Sequence, residues 1–95
     1  MKKVAYVLGL MNADKTKTLV MVYDAYQIKE ALKADGYKWD ADAEVWNKVI
    51  DGTNITAETE HIREIANGTM FVDRARVKGS PLETQCKALK AKVFG

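Results

Sequence analysis

Two short apolar runs near the start of the chain do most to limit its fold. Lys3–Met11 and Thr18–Tyr23 are far shorter than the ~20 apolar residues that a membrane span needs. The first is apolar at both alternating sets of positions, as in a strand covered on two sides. In the second, Val20 and Val22 share one face while Leu19, Met21 and Tyr23 share the other. The polar stretch Asn12–Lys17 between them reads as a turn, so the simplest pairing is a hairpin.

A helix and a second hairpin follow. Asp24 with Gln27 three residues on has the pattern of a capping box, which predicts a helix from Asp24. Ile28, Ala31 and Leu32 form its buried stripe, and Gly36 ends it in the left-handed conformation. Tyr37–Trp39 and Val45–Ile50 read as strands around the polar turn Asp40–Glu44. Two tryptophans, Trp39 and Trp46, flank that turn. At least one is expected to anchor the hairpin onto the helix, leaving the other free to touch a partner.

Thr56 is placed to cap a second helix containing Ile62, Ile65 and Ala66 and stopped by Asn67-Gly68. Thr69–Lys78 reads as a fifth strand. Ser80-Pro81-Leu82-Glu83 then starts a third helix, with Leu82, Cys86, Leu89 and Val93 as its apolar stripe. The order β-β-α-β-β-α-β-α predicts one α+β domain over residues 1–95. Short turns between strands favour a mainly antiparallel sheet of about five strands, with three helices over one face.

Little in the chain points to catalysis or to a cofactor. Cys86 is the only cysteine and His61 the only histidine, so no zinc set and no internal disulfide can form. His61 lies beside Glu58, Glu60 and Glu64, and a general base also needs a nucleophile or water held in place. Asp40, Asp42 and Glu44 start like a calcium loop, but Val45 stands at the required glycine and Asp51 at the required Glu. Gly9 and Gly36 are isolated, so there is no phosphate-binding loop. The expectation is a non-enzyme without metal or cofactor, with no signal peptide, residing in the cytoplasm.

Charge is the more informative property. The net charge is +2, but residues 69–95 carry six basic and two acidic side chains. Arg74, Arg76 and Lys78 would share one face of the fifth strand, spaced by about 6.5–7 Å. That is near the spacing of successive phosphates, and Arg can grip phosphate with two donors. Lys87, Lys90 and Lys92 on the last helix could extend the patch, and exposed aromatics near it would let bases stack. The competing reading is a charged solvent face that blocks aggregation.

The stretch from Tyr26 to Trp46 also resembles a small module of mobile-element and bacterial proteins. Its pattern is Tyr-x-Ile-Lys-(Glu/Asp)-x-Leu-Lys-x-x-Gly, then Trp-Asp, a charged turn and a second Trp. It is similar, more distantly, to the HARP domain of annealing helicases. The matching residues are Tyr26, Ile28, Lys29, Leu32, Lys33, Gly36, Trp39, Asp40 and Trp46, within a stretch that covers about a quarter of the chain. The chain departs from the pattern at Glu44, where related sequences often carry Lys or Arg, so no phosphate contact is expected at that turn. The resemblance implies nucleic-acid work without catalysis by the module.

Together these features predict a nucleic-acid-binding accessory protein of phage or mobile-element origin, with DNA or RNA as partner and no membrane association. The residues expected to make contact are Arg74, Arg76, Lys78, Lys87, Lys90, Lys38, Trp39 and Trp46. The alternative is a small modulator or inhibitor that binds a host protein through an aromatic anchor.

Overall fold

The computed structural model describes residues 3–95. Strands β1 (Val4–Met11) and β2 (Lys17–Tyr23) form the expected antiparallel hairpin, with Tyr6 opposite Tyr23 and Met11 opposite Thr18. Asn12 holds the turn, its side-chain oxygen accepting from the backbone N–H groups of Thr16 and Lys17.

Asp24 does not cap a helix. Its backbone is left-handed (φ 58°), and the chain passes through a single 3-10 turn, Tyr26–Ile28, into the short helix α1, Lys29–Ala34. Gly36 does terminate that helix, at φ 95°, with the Tyr37 N–H returning to the Leu32 carbonyl at 2.9 Å. Strands β3 (Lys38–Asp40) and β4 (Val45–Asp51) pair across the turn with Trp39 opposite Trp46. Helix α2 (Ile55–Ala66) is capped by Asn54 rather than Thr56, the Asn54 side chain accepting from the Ala57 N–H. Strand β5 is only Phe71–Arg74, and helix α3 spans Glu83–Phe94.

The sheet order is β3-β4-β2-β1-β5, and the sheet is mixed rather than mainly antiparallel. β5 runs parallel to β1, with Val4 beside Phe71 and Val7 beside Arg74. The cause is connectivity. Turns reverse a chain, whereas a helix between strands carries it back to the end it left. α1 therefore makes β3 parallel to β2, with β4 between them, and α2 makes β5 parallel to β4, with β2 and β1 between. These crossovers leave in opposite directions and shift opposite ways across the sheet. One handedness thus puts both helices on the same face.

The helices cover both faces, not one. Ala5, Val7, Val20, Val22 and Trp46 pack with Ile28, Leu32, Ile62 and Ala66 beneath α1 and α2. Leu8, Leu19, Met21 and Val45 pack with Cys86 and Leu89 beneath α3. This is what the apolar run of β1 requires: both its faces are buried, so each needs a cover. On the first face, Gly9 lets α2 lie close, since a Cβ there would sit 3.0 Å from Ile55 Cδ1.

Candidate ligand cleft

An open concavity lies at the β3–β4 edge, between α1 and the tryptophan hairpin. It has a volume of about 510 Å³ and is lined by Asp24, Ala25, Tyr26, Lys29, Lys33, Trp39, Glu44 and Trp46. Helical spacing explains one wall. Tyr26, Lys29 and Lys33 lie three and four residues apart, so they project from one side of the 3-10 turn and α1. The cross-strand pair Trp39–Trp46 makes the other wall, with ring centroids 5.2 Å apart and planes tilted by 54°.

The two tryptophans divide the work. Trp46 is 7% exposed and joins the core under α1, whereas Trp39 is 51% exposed. Tyr26 is 73% exposed. Each lysine is held against an aromatic face: Lys29 Nζ lies 3.7 Å from the Tyr26 ring centroid, and Lys33 Nζ lies 5.6 Å from that of Trp46. The Lys29 ammonium lowers the pKa of the Tyr26 phenol. Asp24 and Glu44 sit at the rim with left-handed backbones, φ 58° and 55°. Their carboxylates have no hydrogen bond or ion pair among the described residues.

The residues expected from sequence to bind nucleic acid do not form one surface. Trp39 and Trp46 line the cleft, while Lys38, next along β3, points to the other side of the strand. β5 stops at Arg74, so Arg74, Arg76 and Lys78 share no strand face. Arg74 donates to Thr56 Oγ1 on α2 (3.3 Å) and lines a small depression with Arg76. Lys78 is exposed in the turn that follows. Lys87 and Lys90 line a separate groove between α3 and the β1–β2 turn, with Lys87 paired to Glu83 at 2.9 Å.

A second polar group lies at the junction of α1, α2 and β4. Lys48 Nζ contacts Asp35 at 3.0 Å and Glu58 at 3.6 Å, Asp35 Oδ1 bonds His61 Nε2 at 2.8 Å, and the Tyr37 hydroxyl donates to Glu58 at 2.6 Å. Asp35, Glu58 and His61 are close enough together to ligate a cation. Lys48 already supplies the positive charge these carboxylates need, so the group reads as a structural staple. Asp40 at the start of the Asp40–Glu44 turn is likewise satisfied, accepting from the Ala43 N–H and from Lys92 of α3.

Tyr26, Lys29 and Lys33 belong to the module pattern but are not among the contact residues expected from sequence. The signal that could have found them is their own spacing: Tyr26, Lys29 and Lys33 fall on the side of the helix that does not carry Ile28 and Leu32. No family model, no curated protein and no solved structure matches this chain.

Proposed function

We propose that the protein is a non-enzymatic nucleic-acid-binding accessory protein whose contact site is the Tyr26–Trp39 cleft. The observation that carries this reading is the meeting of three aromatic rings and two lysines in one open concavity. Exposed rings offer unpaired bases a stacking platform, and neighbouring ammonium groups hold the backbone phosphates. A single strand suits this geometry better than a duplex, because duplex bases are already stacked and paired. Arg74 and Arg76 form a second cationic spot outside the cleft.

Tryptophan fluorescence titrations with single-stranded and duplex oligonucleotides over a salt series test the proposal. Trp39→Ala should weaken single-strand binding by about 1–3 kcal/mol. Lys33→Ala should lower the salt slope by roughly 0.7, while Arg76→Ala should leave it unchanged if the cleft is the site. Absence of binding at low salt ends the reading. Exposed Tyr26 and Trp39 are also residue types that anchor protein interfaces. Stoichiometric capture of one host protein after nuclease treatment, lost in Trp39→Ala, would favour the modulator reading instead.

A further inference from the structure

The cleft carries two lysines and two carboxylates, a charge balance that a site for phosphate alone would not need. Neither carboxylate is held by a partner among the described residues. Lys29 and Lys33 are set against ring faces, and Lys33 also pairs with Glu30 at 3.4 Å. Asp24 and Glu44 have no hydrogen bond or ion pair among the described residues, yet both line the same space as the rings. Both are placed there by left-handed backbone, which is costly for a residue other than glycine, more so for Glu than for Asp.

We propose that the cleft reads an unpaired guanine within a single strand, with a rim carboxylate of Asp24 or Glu44 accepting hydrogen bonds from its Watson–Crick edge. The inference rests on the nucleic-acid reading above and adds base selectivity to it. An ionised carboxylate can only accept, so it selects an edge that donates. Guanine offers N1–H and N2–H side by side, two parallel donors that match two carboxylate oxygens. Thymine and uracil place their single N3–H between two carbonyls, which repel a carboxylate. Cytosine and adenine each set an amino group next to a ring-nitrogen acceptor, so they can satisfy only one oxygen. In a duplex the guanine edge is occupied by cytosine, which confines this contact to unpaired bases. The lysines then take the flanking phosphates, and the rings take the base face.

The test is a fluorescence titration of the full chain with an all-thymine octanucleotide and with the same strand carrying one central dG, dC or dA. The dG strand should bind about tenfold more tightly than the all-thymine strand. Asp24→Asn and Glu44→Gln together should narrow that gap to below about threefold, because an amide presents a donor as well as an acceptor. Both side chains are exposed, and Asn is tolerated in left-handed backbone, so the variant should keep its fold. Equal affinity for dG and all-thymine strands overturns the guanine assignment but leaves the nucleic-acid reading standing. So does tighter binding of the dC or dA strand, or a dG preference that survives both substitutions. Failure of every strand to bind removes both.

Discussion

Individual side chains show how differently two similar residues are used. Trp39 and Trp46 face each other across the hairpin, yet one is mostly core and the other half in solvent. The difference is position in the sheet. β4 lies inside it and passes under α1, whereas β3 is the edge strand. Cys86 makes the opposite case, a reactive residue type made inert. It is fully buried on the sheet-facing side of α3, burial raises its thiol pKa, and its sulfur lies 3.5 Å from the Tyr23 hydroxyl. The thiolate is the reacting form, so the native thiol should alkylate much more slowly than in denaturant. A native rate equal to that of the unfolded chain would show that α3 does not protect it.

At the scale of elements, the charged staple ties three elements together through their side chains. Lys48 brings β4 to Asp35 at the end of α1 and to Glu58 on α2. Burial alone would raise the pKa of Asp35, but hydrogen bonds and charge from His61 and Lys48 outweigh it and leave it lowered. A depressed folded pKa means that the carboxylate stabilises the fold above its ordinary value of 3.8. That contribution is lost as pH falls through the lower folded value. Asp40 acts in the same direction, through the Ala43 N–H and Lys92. Urea midpoints between about pH 2 and 5 should therefore fall steeply in the native protein and less steeply in Asp35→Asn. Identical slopes would mean that the staple contributes no pH-dependent stability.

The whole molecule is a sheet between two unequal helical layers, and its thinner layer is a single helix. α3 covers Leu8, Leu19, Met21 and Val45 together with Val77 and Leu82 of the segment before it, and Lys92 ties the helix to the hairpin turn through Asp40 at 3.0 Å. Removing residues 83–95 should expose that face, lower thermal stability sharply and produce dye binding typical of open apolar surface. A truncated chain that melts as the full chain does would refute this account of the core. The cleft lies on the opposite face, built by α1 and the hairpin. Ligand contacts there and the packing of α3 are thus carried by separate parts of the molecule.

Local rules determined a good deal of this protein. The β1–β2 hairpin, the left-handed stop at Gly36, the end of α2 at Asn67 and the stripe of Cys86 and Leu89 are each set by neighbouring residues. The two-sided burial of β1 was also present in its apolar run, although the expected one-sided helical layer conflicted with it. What only the tertiary structure decided was which strands meet. The parallel β1–β5 pair joins residues far apart in sequence, and its direction follows from the whole path of the chain rather than from any turn. The same holds for the functional surface. Arg74, Arg76 and Lys78 shared a face only while the strand was assumed to continue, and the strand ended at Arg74. Tyr26, Lys29 and Lys33 gained a site because α1 packed beside the tryptophan hairpin. A cleft is made by two elements facing each other, and periodicity within one element says nothing about what stands opposite it.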